Sequence, residues 1–372
     1  MLRSRNAAMT DLLSSVWKAQ VRTEQFSPAD WETLMGQARR ARLLPRLARH
    51  FEDQDGGLAS LPSPQQHYLR GALRLVQRQR HEVLAEVAHM RRALHGLTTP
   101  VVLLKGAAYL FAELPPARAR IFSDLDIMVE RGQIAVVEGA LLAGGWISED
   151  RDAYNQRYYR EWMHEVPPLR HVQRGSVIDL HHTIAPPTSR FKVDAKRLLE
   201  RVRPVGSSGL FVLGPEDMVL HSALHLYQES EFDHGLRDLL DLHDLLLHFG
   251  REPAFWSALL ARARELGLEE PLFHLLHQVQ RLFGLPLPSE ATAALDAYLS
   301  RGLATSLVAA LLEQAVRPNH PSCDSPTARL ARWLLYVRSH WLRMPLHLLL
   351  PHLIRKAYMA RFPARTGIQQ AG

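Results

Sequence analysis

The chain has one cysteine, Cys323, in 372 residues. An intramolecular disulfide is therefore impossible. This excludes a disulfide-stapled secreted scaffold and a cysteine-based zinc site, and it points to a reducing, cytoplasmic setting. Lysine is nearly as scarce, with 40 of the 45 basic residues being arginine and only 5 lysine. A lysine inside an apolar run therefore stands out. A secretory leader is also missing from the expectation: residues 1–5 are basic, but no apolar run of signal-peptide length follows before Asp11. There is no low-complexity tract either. At 47% hydrophobic and 22% charged residues, with 21 Gly and 23 Pro, the composition is that of a globular chain long enough for two or three structural units.

Base exceeds acid by 7 charges, a balance that in many proteins signals nucleic acid or an anionic surface. Here the arginines are spread along helical faces, so there is no clear nucleic-acid signal.

Residues 1–96 read as a helical region. Its clearest segment runs over 64–94, where Leu69, Leu73, Val76, Val83, Val87, Met90 and Leu94 recur at helical steps and Gly96 supplies a stop. Arg70, Arg74, Arg78, Arg80 and Arg91 read as its solvated face. The texture changes at Pro100. Val101 to Leu104 is a short β-favouring run, followed by Lys105-Gly106 and a helix-compatible stretch, which gives strand, tight turn, helix. Residues 124–129 alternate, with Asp124, Asp126 and Met128 on one face of a strand and Leu125, Ile127 and Val129 on the other. Two more strands are expected around 166–172 and 176–183, joined by a hairpin-like turn at Arg174-Gly175. Beyond Pro186 leucine-rich helix returns. The expected fold class is α+β: a small αβ core, 97–190, between helical regions 1–96 and 191–372.

Carboxylates at i and i+2 of one strand have Cα atoms roughly 6.5–7 Å apart and side chains on the same face. Unpaired, they repel; a divalent cation converts that repulsion into coordination. Hard oxygen ligands on a rigid strand suit Mg²⁺, which takes its remaining ligands from water and substrate phosphates. Such a site normally takes a third carboxylate from a neighbouring strand, and Asp179, which interrupts the apolar run Val177 to Leu180, is the best candidate. Lys105 has two readings. It can snorkel harmlessly from a strand end, or it can mark the sheet edge where ligands bind, with Gly106 letting the backbone approach a phosphate.

The segments Leu103-Leu104-Lys105-Gly106-Ala107-Ala108, Arg120 to Val129 and Ile178-Asp179-Leu180-His181 resemble the bacterial nucleotidyltransferase-like family of the polymerase-β-type nucleotidyltransferase superfamily. The resemblance covers about 101–182 well and extends more loosely to 221–244, where Arg237 and Asp241 look like part of the family's helical domain. It implies a small mixed sheet with flanking helices, a glycine turn that holds triphosphate, and three carboxylates that bind two metals. By that likeness Asp124, Asp126 and Asp179 are both catalytic residues and Mg²⁺ ligands, and Gly106 is the turn glycine. Lys105 takes the place of the usual turn hydroxyl, and Arg120 matches a basic position. The implied substrate is a nucleoside triphosphate such as ATP, with the nucleoside monophosphate passing to an unknown acceptor, a small molecule or a protein.

Two alternatives belong to other classes. One is a catalytically silent nucleotide-binding or interaction module of a biosynthetic cluster. The other is a metal phosphohydrolase built on His221 and His225, which share a helix face at i, i+4. Arg237 and Asp241 either line the acceptor pocket or pair as i, i+4 surface charges. His181 carries little expectation of a substrate role. The tail 341–372 is basic without acids, and its apolar stretch 344–354 is too short to cross a membrane and is broken by Pro345 and Pro351. It is expected to pack as a helix, with a weak membrane-surface contact as the other option.

Overall fold

A computed structural model describes residues 11–361 except 149, 151, 207 and 208. The basic residues 1–5 and the tail end, 362–372, lie outside the described residues.

The sheet has seven strands: β1 (Val101–Leu103), β2 (Leu125–Met128), β3 (Trp146–Ser148), β4 (Leu169–His171), β5 (Val177–His181), β6 (Arg203–Val205) and β7 (Leu210–Val212). Their spatial order is β3-β4-β5-β2-β1-β7-β6. Two pairings are parallel, β2 with β5 and β1 with β7, and the others are antiparallel. The β4–β5 hairpin turns at Gly175, whose φ of 68° is the left-handed geometry glycine tolerates. All four residues of β2 are buried, so the central strand is covered on both faces.

The sheet is wider than the expected core. β6 and β7 lie in the segment read as purely helical, and β3 was not anticipated. Each is three residues long, too short for alternation to register. Pro204 in β6 breaks the usual strand signal and is tolerated because β6 is an edge strand.

Five helices frame the site: α1 (Leu44–Glu52), α2 (Ser63–Ala93), α3 (Lys105–Phe111), α4 (Pro215–Tyr227) and α5 (Gly235–Phe249). Helix α2 buries Leu69, Val76, Val87 and Met90, the inner residues of the predicted stripe, against α1 and the 134–143 helix, while its arginines face solvent. Helices α4 and α5 pack on one another through their leucines. One continuous buried cluster runs from Leu12 through the sheet to Leu342, so helical segments from both ends of the chain share a core with the sheet. Burial of this apolar surface is the main favourable term in folding.

Candidate active site

The acids are positioned by strand register. β2 and β5 run parallel with Asp126 beside Asp179 and Met128 beside His181. Because side chains alternate along a strand, Asp179 and His181 share one face, and Asp124, two residues before Asp126, projects on the same side as its neighbour. Burial separates the pair: Asp126 is 5% exposed, whereas Asp124 lies just outside β2, exposed, and accepts a hydrogen bond from Ser123 Oγ at 2.7 Å.

Asp126 is not left to repel its neighbours. Lys105 Nζ donates to its Oδ1 at 2.9 Å, and His181 Nε2 lies 3.1 Å from the same oxygen. Burial alone would raise this carboxyl, but the Lys105 ammonium and His181 outweigh it and hold the group well below the usual range. Burial likewise opposes the charge on Lys105, and Asp126 overcomes it, raising the ammonium above its ordinary value. Lys105 opens α3 with φ of +44°. That conformation is uncommon for a residue with a side chain and costs on the order of 1–3 kcal/mol, strain that clusters at functional sites. Of its two sequence readings, harmless snorkelling does not describe this contact, since the ammonium ends on a buried carboxylate.

Asp179 has the opposite environment. Burial, then the charges of Glu165, Asp126 and Asp124, push its carboxyl up to about 7. Its Oδ1 is buried with no hydrogen-bond partner. An orphaned buried oxygen near other carboxylates is satisfied either by a proton or by a cation. The donors fit a hard divalent ion in chemical type. In this structure, however, they are spread more widely than a closed ligand set. Among the described residues, the three metal-capable donors whose atoms all lie within 4.8 Å of one another are His164, Glu165 and His181. An ion at Asp126 would compete with the Lys105 ammonium already there.

Glu165 and His164 escaped the sequence reading. Glu165 lies in an irregular segment before β4 and is carried to the site by an isolated antiparallel bridge to His181, a pairing with no local pattern. Its Oε2 lies 3.5 Å from His181 Nε2. His181, of which the sequence raised little expectation, also belongs here: two residues after Asp179 on β5, it lies on the same face, a placement strand alternation could have given. It is 1% exposed, and its hydrogen bond with Asp126 and the charge of Glu165 outweigh burial and raise its pKa.

Arg120 and Gly106 form a second arrangement. Arg120 Nε donates to Asp241 Oδ2 at 2.7 Å, and Arg46 Nη1 of α1 reaches Asp241 Oδ1 at 3.3 Å. A Cβ on Gly106 would come within 2.6 Å of Arg120 Nη1 and 3.2 Å of Phe122 Cδ1. A side chain at 106 would thus have to push aside the guanidinium that Asp241 holds over it. Arg237 and Asp241 are both buried and do not pair with each other, which corrects the expectation of i, i+4 surface charges. Arg237 instead grips Asp238, through Nε at 2.8 Å and Nη2 at 2.7 Å. Its Nη1 is buried without a hydrogen-bond partner.

Lys105, Asp124, Asp126, Arg120, Arg237 and Asp241 line one cavity of about 260 Å³ between β2 and helices α4 and α5; Asp179, His181 and Gly106 are not part of its lining. Lys105, Asp124 and Asp126 form one side, and Arg120, His225 and Arg237 belong to the other elements around it. His221 and His225 do not join any three-donor group among the described residues. Both are held neutral: burial pushes His221 down to about 3, and the Lys105 charge, then burial, depresses His225.

Fold and site together define a class: a mixed sheet that sets carboxylates from two neighbouring strands beside a charged cavity. The chain belongs to the family described as uncharacterised nucleotidyltransferase, which matches residues 27–284. No match was found among curated proteins or among solved structures. Family membership supports an enzyme of nucleotidyl transfer. In the described residues no single helix is long and apolar enough to cross a membrane.

Proposed function

We propose that the protein is a polymerase-β-type nucleotidyltransferase that depends on Mg²⁺ and moves a nucleoside monophosphate from a nucleoside triphosphate to an acceptor hydroxyl or similar nucleophile. The support is the parallel register of Asp126 and Asp179, with Asp124 on the same face. Asp124, Asp126 and Asp179 would hold the metal, which supplies charge neutralisation for the triphosphate and for the oxygens entering and leaving phosphorus.

The chain's own groups then divide the remaining work. The acceptor O–H attacks the α-phosphorus, the bond to pyrophosphate breaks, and Asp179, ionised beside the metal, would receive the acceptor's proton. Asp126, held ionised by Lys105 and His181, keeps a fixed negative charge beside it. Lys105 and Arg237 steady the phosphates, the second through its unpartnered Nη1. Arg120 holds α3 and α5 together through Asp241 and so shapes the cavity.

One observation favours a silent nucleotide-binding module instead: the Lys105 ammonium already neutralises Asp126. The same assay separates the readings. Purified protein with Mg²⁺ and a panel of labelled triphosphates is expected to release pyrophosphate; binding of triphosphate with no release against any acceptor tried would favour the silent module. Arg237→Ala is expected to raise the KM for triphosphate about 10- to 100-fold, the loss of one charge-assisted hydrogen bond, with a smaller change in kcat. Steady-state kinetics over a range of triphosphate concentration checks this, and an unchanged KM would remove Arg237 from the phosphate site.

A further inference from the structure

The C-terminal helices carry an outward apolar face that the site does not explain. They are α6 (Leu303–Ala315), α7 (Pro326–Arg343) and α8 (Leu346–Arg361), with α7 packed on both others. Helix α7 is apolar twice over. Ala328, Ala331, Leu335, Ser339 and Leu342 are buried against the protein. Leu330, Trp333, Val337 and Trp341, spaced by three, four and four residues, form a stripe on the opposite side and remain 55%, 60%, 49% and 41% exposed. Contiguous exposed apolar patches of this kind mark interaction sites. The adjoining helices add exposed leucines, among them Leu303 at 90% and Leu346 and Leu350 at 55% and 56%.

Charge identifies the occupant. From Ser325 to the end of the sequence there are seven arginines, one lysine and no acid. Arg332, Arg338, Arg343 and Arg355 face Asp324, Glu270, Glu229 and Asp152. Arg329 keeps a side chain 65% exposed and reaches Asp324 only at 3.9 Å. Arg190, from the core, stacks on the Trp341 ring at 3.1 Å and adds another cation at the stripe's end. Tryptophan and leucine beside arginine are the ingredients of a segment lying in the membrane interface, with the aromatic rings at headgroup level and the cations on anionic lipid. A second copy of the chain fits less well, because an isologous contact through this stripe would bring the exposed Arg329 and the Arg190 at its end together from both copies.

We propose that the outward stripe of α7 docks the protein on an anionic lipid surface, lying along it rather than crossing it. This moves the contact from the tail, 341–372, to Leu330, Trp333, Val337 and Trp341, and it is independent of the reaction at the carboxylates.

The test is sedimentation of the full chain with phosphatidylcholine vesicles prepared with and without phosphatidylglycerol, at low and high salt, together with tryptophan fluorescence. Expected is binding to the phosphatidylglycerol vesicles alone, a blue shift on binding, and release by salt. The double variant Trp333→Glu, Val337→Glu should bind at least about tenfold more weakly. These positions are exposed, so its circular dichroism should match the parent's. Failure of the parent to bind, equal binding by the variant, or salt-insensitive binding to phosphatidylcholine alone would overturn the proposal. So would a parent dimer, seen by light scattering, that becomes monomeric in the variant, since that assigns the stripe to a second copy.

Discussion

Asp124→Asn and Asp126→Asn are each expected to reduce pyrophosphate release about a thousandfold, the loss of several kcal/mol of charge stabilisation at phosphorus. Their effects on stability should differ. Asp124 is exposed and bonded only to Ser123 among the described residues, so its replacement should leave the urea midpoint within experimental scatter. Asp126 neutralises Lys105 and faces His181 inside the protein. Converting it to an amide leaves a part-buried ammonium without its counter-charge, a change that costs about 2–3 kcal/mol, below the full penalty of a wholly buried pair. Activity lost in both variants with stability lost in one separates a chemical role from a structural one. Wild-type turnover in Asp124→Asn would remove that residue from the machinery.

The second large effect is structural. Asp241→Ala is expected to destabilise the protein by about 3 kcal/mol, because it removes the shared counter-charge of two buried guanidiniums at once. Arg120 and Arg46 converge on this carboxylate from different elements; without it Arg46 keeps Asp244, and Arg120 keeps only the more distant Asp238, at 3.9 Å. Burial raises the Asp241 carboxyl despite both arginines, so the group is bound tightly to its partners but costly to bury. The ion cluster ties α1, the segment before β2 and α5 into one unit. Urea unfolding measures the loss, and a shift under 1 kcal/mol would mean that the cavity walls hold without it. Because Arg120 also packs over Gly106, triphosphate affinity should fall along with stability.

Much of this arrangement could be read in the residues themselves. The alternation from Asp124 to Val129 named the strand and the face of its acids, and an acid interrupting Val177 to Leu180 named its neighbour, because period-2 patterning is local. What joins the two strands is not local. Parallel pairing of β2 with β5 depends on a chain path through β3 and β4, and no residue near either acid encodes it. Glu165 shows the same limit: an irregular segment brings it to His181 through a single bridge. Lys105 was visible as an odd lysine, but its partner could not be named until α3 set its direction. The Arg120–Asp241–Arg46 cluster spans 195 residues between Arg46 and Asp241, and such pairs leave no trace in spacing. β6 and β7 were lost for a different reason, since three-residue strands carry too little pattern to outweigh the helix around them.

Asp179 offers the most direct test of the claim that these acids meet at a divalent cation. Its folded pKa of about 7 stands above the unfolded value of 3.8, so folding of the metal-free protein favours the protonated form. That contribution is complete below about pH 4 and fades as pH rises through 7. A cation binds the ionised form and reverses the trend. Thermal unfolding with and without Mn²⁺, followed at pH 5.5 and pH 8, should therefore show a small stabilisation at the lower pH and a larger one at the higher, with the difference abolished in Asp179→Asn. Equal shifts at both pH values, or none in the parent protein, would contradict the account.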